Sequence, residues 1–271
     1  MIGAACTAGL RELILPPVPV VMAEDGTTPH PDFDASNPLG MGFARLMTHF
    51  DSLGDNCEFG LVQRWCGAEP LGLLRWSMTQ LPDLLRGVAT AYDGAGRAER
   101  LETRIIKGEY YVLDPGVGLS YHPFRNADEI TPEALIAQES IKLRFLGRVF
   151  RERLMSGEKI FVRKDNAPTR ARDIVGLFLA LNEHAPHTLL WVVPADAAHP
   201  AGSVDVLMSG LLRGHVERFA PHWDAYDAVV APWLSVCMNA YRLWREHPFG
   251  QGPGPRGWTG ARFCPHWLRH V

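Results

Sequence analysis

The chain has no Cys-x-x-Cys pair and no Cys/His grouping at zinc-site spacing, so the common structural zinc modules are excluded. Its five cysteines, Cys6, Cys57, Cys66, Cys237 and Cys264, are an odd number. They read as free thiols in a reducing, cytoplasmic setting rather than as a disulfide framework. No five-residue basic block occurs, and 27 Lys+Arg against 30 Asp+Glu give a net charge of -3, which argues against nucleic acid or an anionic membrane as partner. An unbroken apolar run of the roughly 18 residues that a membrane span needs is missing too. The apolar stretch Leu13 to Met22 is interrupted by Pro16, Pro17 and Pro19 and follows Glu12, which speaks against a secretory signal. The Gly250 to Gly257 stretch lacks the Lys-Ser/Thr ending of a phosphate loop. His266 and His270 stand four apart without a third ligand, so neither a metal nor another cofactor is expected.

What is present is core-forming material: 46% of the 271 residues are hydrophobic. Residues 1–42 are rich in Pro, Gly and Asp and read as an extended or poorly ordered N-terminal arm. Residues 43–248 read as one α/β domain, and residues 249–271 as a Gly/Pro-led C-terminal tail. Helical spacing runs from Phe43 to Phe50, followed by a turn over Asp51 to Asn56 and a helix over Cys57 to Trp65, capped by Asp55 or Asn56. A weak helix is expected around Leu81 to Ala91, then strands at Thr103 to Ile106, Tyr110 to Leu113 and Gly118 to His122. Thr131-Pro132-Glu133 starts a long helix to Leu154, with Leu135, Ile136, Ile141, Phe145, Leu146, Val149 and Phe150 as its apolar stripe and Lys142, Arg144, Arg148, Arg151 and Arg153 on its solvent face. The second half alternates: strand Lys159 to Val162, helix Ala171 to Asn182, strands Thr188 to Val193 and Val204 to Leu207, and helix Val229 to Trp244. Such alternation predicts a sheet with parallel neighbours covered by helices.

Cys57 is the chemical focus. A thiol in the first turn of a helix lies near unpaired backbone N–H groups that favour its thiolate, and its own N–H can serve a carbonyl oxygen under attack. Acyl transfer needs a base as well, and His122, at the end of a strand and before Pro123-Phe124, is the expected one. Asp165 and Asn166, just beyond the Ile160 to Arg163 strand, are the candidates for fixing the tautomer of His122. Asn56, Arg64, Arg75 and Trp76 are the candidate substrate contacts; the arginines would recognise an anionic group if they converged.

The segment Ser52-Leu53-Gly54-Asp55-Asn56-Cys57-Glu58-Phe59-Gly60-Leu61-Val62-Gln63-Arg64 resembles the opening signature of a family of bacterial papain-like cysteine peptidase domains of otherwise unknown function. Tyr121-His122-Pro123-Phe124 is similar to that family's histidine segment and Lys159-Ile160-Phe161-Val162-Arg163 to its following strand. The resemblance spans about Phe50 to Arg163 and implies a papain-like core, a cysteine-bearing helix packed on a mixed β-sheet, with Cys57 as nucleophile and His122 as base. Where the family shows Phe-Asp-Trp, this chain has Leu74-Arg75-Trp76, a base in place of an acid. The expected activity is a cysteine-dependent acyl hydrolase or transferase acting on a peptide, amide or ester. Its rivals are a transferase for surface glycans with a nucleotide-sugar site in the second half, and a non-catalytic interaction module.

Overall fold

The computed structural model describes residues 14–24, 28–29 and 39–246. In chain order the elements are β1 (Ile14–Leu15), α1 (Phe43–Met47), β2 (Phe50–Ser52), α2 (Glu58–Trp65), α3 (Leu81–Ala89), β3 (Glu102–Ile106), β4 (Glu109–Asp114), β5 (Leu119–Tyr121), α4 (Pro132–Ser156), β6 (Ile160–Lys164), α5 (Ala171–Asn182), β7 (Thr188–Pro194), β8 (Val204–Met208), β9 (Leu211–Val216) and α6 (Val230–Glu246). Six strands form one mixed sheet in the order β1-β8-β9-β7-β6-β2, and β3-β4-β5 form a separate antiparallel sheet. Within the large sheet β2, β6, β7 and β9 run parallel. The fold is α/β.

Both faces of the parallel strands are covered, which is why Ile160-Phe161-Val162 and Thr188 to Val193 read as continuous apolar runs. Alternate residues serve opposite layers. Phe161, Leu189 and Leu211 join α3, α4, α5 and the small sheet in one cluster, whereas Ile160, Val162, Leu190 and Leu212 join α1, α2 and α6 in the other. The cysteine-bearing α2 and the C-terminal α6 therefore share a core layer, and the two halves of the chain interleave.

Several expectations change. Phe50-Asp51-Ser52, read partly as turn, is a fully buried strand paired in register with Ile160 to Val162. Asp51 is tolerated there because Arg153 Nη1 donates to its Oδ2 at 2.8 Å. That bond also takes Arg153 out of the solvent face assigned to it. Strand β9 was not foreseen at all: Arg213, Gly214 and His215 break its apolar pattern, yet it pairs with both β7 and β8. On α4, Ile141 and Phe145 face solvent and Leu143 is buried in their place; Thr131 Oγ1 caps the helix at Ala134 N and Gly157, at φ 68°, ends it. Part of the N-terminal arm is stitched down. Ile14–Leu15 pairs with β8, Val18 N donates to Ser235 Oγ at 2.7 Å, and Asn239 Nδ2 donates to Pro16 O at 2.7 Å. The C-terminal tail, with His266 and His270, lies outside the described residues. Among the described residues, no helix is long and apolar enough to cross a membrane.

Candidate functional site

Strand β2 delivers the chain to the carboxyl edge of the parallel strands, the edge at which open α/β sheets form crevices. The turn that follows is left-handed at two successive residues, Gly54 (φ 84°) and Asp55 (φ 88°). A Cβ on Gly54 would stand 2.8 Å from Ser77 Oγ, so glycine is required both by conformation and by close approach. Asp55 stays in its strained conformation because its Oδ2 accepts from Asn166 N at 3.0 Å and lies 3.5 Å from Lys164 Nζ.

Cys57 is the residue that enters α2. Asn56 Oδ1 accepts from Glu58 N at 3.0 Å, which satisfies one open donor of the first turn and fixes which way the amide faces. The other end of that amide, Asn56 Nδ2, is buried and makes no hydrogen bond among the described residues. Behind the cysteine, the fully buried Glu58 accepts from Lys164 Nζ at 2.8 Å, Trp233 Nε1 at 2.9 Å and Ala220 N at 3.2 Å. This network locks the start of α2 onto β6 and α6.

The thiol is not a preformed thiolate, contrary to what its helix position suggests. Burial pushes the Cys57 thiol up to about 11, and the nearby Lys164 and Arg64 charges offset this only in part. Its proton has a partner, since Sγ donates to Trp76 O at 3.6 Å.

Cys57 lines a cleft of about 190 Å³ together with Asn56, Trp76, Tyr111, His122, Phe124 and His222. His122, just past β5, is brought there by the small sheet, which is tied to the cysteine turn through Met78 N donating to Ser120 O at 2.7 Å. Its ring stacks on Tyr111 (centroids 5.0 Å apart, planes at 21°) and packs on Phe124 (4.6 Å). Phe124 takes a left-handed backbone (φ 57°), a conformation that costs a non-glycine residue about 1 kcal/mol or more and here sets its ring between His122 and Trp76.

The groups expected to orient His122 are held elsewhere. Asp165 pairs with the buried guanidinium of Arg163, which also donates to Leu53 O and Thr79 O and so braces the cysteine turn. Asn166 accepts from Lys164 Nζ at 3.0 Å through Oδ1, which turns its Nδ2 toward His222 Nδ1, 3.4 Å away. The carboxylate beside His122 is Glu109, with Oε2 3.0 Å from Nε2. Arg75 does not line the cleft. It is sealed behind Trp76, where it donates to Gly60 O at 2.9 Å and Ala68 O at 3.1 Å and pairs with Glu69, so the base that stands in the acid's place stitches α2 to the loop after it. Arg64 pairs with the same Glu69 at 2.6 Å, and both guanidinium groups lie over the Trp76 ring, at 4.6 and 4.4 Å. Of the four expected substrate contacts, Asn56 and Trp76 reach the cleft.

Sequence reasoning missed His222 and Glu109. His222 sits in the β9–α6 connection, far along the chain from Cys57, and the one hint was its place among aromatic residues. Glu109 is masked as the first residue of an ordinary hairpin strand. A third feature, His199, Asp205 and His215, groups one ligand atom from each within 4.8 Å. The two rings are parallel, at 5° with centroids 4.6 Å apart, so their lone pairs do not aim at a common point.

No family model, no curated protein and no solved structure matches this chain.

Proposed function

We propose that this protein is a cysteine-dependent acyl hydrolase or transferase with Cys57 as nucleophile and His122 as its base. The observation that carries the reading is that Cys57, at a helix start, and the ring-clamped His122 line one cleft with Asn56, whose buried Nδ2 makes no hydrogen bond among the described residues. An unmade hydrogen bond on a buried donor costs about 1–3 kcal/mol, and that cost is removed when a ligand supplies an acceptor. The oxygen of a carbonyl under attack by the neighbouring sulfur is such an acceptor.

Different neighbours divide the two histidines. In this reading the Glu109 carboxylate, whose Oε2 lies 3.0 Å from His122 Nε2 without an aligned hydrogen bond, favours the proton on Nε2 by its charge and leaves Nδ1 as the lone pair. Glu109 is thus the orienting carboxylate of this reading, the role first given to Asp165 or Asn166. His222, whose Nδ1 accepts from Asn166, carries its proton on Nε2 and is a donor. Because the resting thiol is neutral, proton transfer to His122 accompanies attack: the S–H proton passes to Nδ1 as the C–S bond forms and the carbonyl electron pair moves onto oxygen. The oxyanion is stabilised by Asn56 Nδ2 and the first-turn N–H groups, and the imidazolium by Tyr111, Phe124 and Glu109. Collapse breaks the bond to the leaving group, which takes the imidazolium proton. Water or another acceptor then attacks the thioester with His122 again as base, releasing the acyl product and restoring the thiol. Among the described residues no Lys or Arg lines the cleft, which weighs against a nucleotide sugar binding there.

The test is intact-mass analysis after brief mixing with p-nitrophenyl acetate. A single acetyl adduct that maps to Cys57 and is lost with the Cys57→Ala change is the expected result; hydrolysis that persists in Cys57→Ala, or an adduct on another residue, sinks the reading.

A further inference from the structure

We infer that the substrate of this site carries a cationic group, an alkylammonium or guanidinium, held at the side of the cleft formed by Trp223, Asp224 and Tyr226. The inference rests on the acyl-transfer reading and adds to it a class of substrate.

The β9–α6 connection closes one wall of the cleft. Trp223 and Tyr226 line it while remaining 88% and 62% exposed, Trp223 being the most exposed large hydrophobic side chain described. Single exposed apolar residues are ordinary; two indole and phenol rings within four residues of each other, both on the rim of one cleft, form a surface that awaits a partner. Between them stands Asp224. Its Oδ1 accepts from Tyr226 N at 3.2 Å, which fixes the carboxylate at the start of the 3-10 turn Ala225–Asp227. A carboxylate with further lone pairs that lines the same cleft as an indole and a phenol supplies the groups that bind ammonium and guanidinium ions.

Charge complementarity sets the sign. Among the described residues that line the cleft, Asp224 is the one carboxylate and none is Lys or Arg. The neighbouring Asp227 is already paired with Arg218 at 2.9 Å, so Asp224 is the acid of this turn that faces the cleft. The chain uses the same chemistry internally on both sides: guanidinium groups lie over Trp76, and Lys164 Nζ lies 4.8 Å from the centre of the Phe219 ring, in the same connection as Trp223. In those places the cation comes from the protein. At Trp223 and Tyr226 it is left for the ligand.

The test uses three p-nitrophenyl esters of one chain length: 6-(trimethylammonio)hexanoate, hexanoate and the monoester of adipate. The expected order of kcat/KM is cationic, neutral, anionic, with the cationic ester favoured over the neutral one by about tenfold, as an exposed cation–π contact plus one carboxylate supplies. The Trp223→Ala and Asp224→Asn changes should each lower that ratio to about threefold or less, and raised salt should lower it in the native protein. A ratio near one, a preference for the anionic ester, or a ratio untouched by both changes overturns the inference. Calorimetric binding of hexyltrimethylammonium to the Cys57→Ala protein separates the two readings. Binding that depends on Trp223 and Asp224 without any ester hydrolysis removes the acyl-transfer reading alone, while hydrolysis without cation binding removes the inference alone.

Discussion

The histidines around Cys57 and those around Asp205 make opposite use of the same side chains. At Asp205 the charges cancel among themselves: Oδ2 accepts from His215 Nε2 at 2.9 Å and from Arg213 at 2.7 and 2.9 Å, and His199 stacks on His215 while its Nδ1 lies 2.9 Å from Asp196. Burial pushes the Asp205 carboxyl up, but the bonds from His215 and Arg213 outweigh it and hold the group below the usual carboxylate range. At Cys57, His122 Nε2 lies 3.0 Å from a Glu109 carboxylate oxygen without an aligned hydrogen bond, His222 Nδ1 lies 3.4 Å from Asn166 Nδ2, and the buried Asn56 Nδ2 makes no hydrogen bond among the described residues. The Asp205 cluster ties β8 to β9 and so braces the sheet, with Asp205 Oδ1 and His215 Nδ1 left without hydrogen-bond partners among the described residues. The Cys57 cluster instead sets a thiol and two imidazoles on the wall of a cleft, which gives it capacity for a reaction.

Substitutions on the two clusters should separate activity from stability. The largest expected effect is at the nucleophile: Cys57→Ala should lower ester hydrolysis by about 10³-fold or more with an unchanged urea midpoint, because in this reading the covalent intermediate forms on its sulfur. Next, His122→Ala should cost about 10²–10³-fold in kcat and His222→Ala about 10-fold, since a base is needed in every turnover and a donor only assists. Reversal of that order, measured in steady-state assays on both variants, would exchange the roles of the two rings. At the other cluster Asp205→Asn should destabilise by about 1–2 kcal/mol in urea titration and leave hydrolysis intact, as Arg213 loses its ionic partner but keeps contact with water. Loss of activity there would erase the contrast between the clusters.

The smallest effect is a dependence on pH. With the thiol raised from its ordinary 9.0 to about 11, the folded protein holds between those values a proton that the unfolded chain has released. Stability linked to Cys57 is therefore fully present below pH 9 and is lost as pH rises through about 11. Cys57→Ser should flatten that part of the curve. Alkylation of Cys57 by iodoacetamide should be slower at neutral pH than that of a free cysteine and should still be rising above pH 9, whereas Cys237, also raised by burial but sealed in the core, should react only on unfolding.

Elements with one dominant local signal were legible. The Thr131-Pro132 start, the apolar runs of β6 and β7, and the Leu53-Gly54 turn before Cys57 each carry their cause within a few residues. Strand β9 carried no such signal, because Gly214 is there for a neighbour: a Cβ would meet Val236 Cγ1 of α6 at 2.5 Å. Ile141 and Phe145 were misplaced on α4 because spacing alone cannot say which of two apolar stripes meets the small sheet. In the site, Cys57, Asn56 and Trp76 were identifiable as a local group. Arg75 and Asp165 were misassigned for a shared reason, that the residues which seal them, Glu69 with the Gly60 and Ala68 carbonyls in one case and Arg163 in the other, become partners only by packing.

Sequence alone determined the α/β class, the order of most elements and the turn that sets a cysteine at the head of a helix, since these follow from periodicity, glycine conformation and helix-start chemistry over short stretches. The tertiary structure decided which histidine faces which carboxylate, that the thiol rests protonated, and that a loop more than 160 residues beyond Cys57 supplies the aromatic wall of its cleft. Those outcomes depend on burial and on distances between groups remote in the chain, and neither is encoded in the spacing of residues along it.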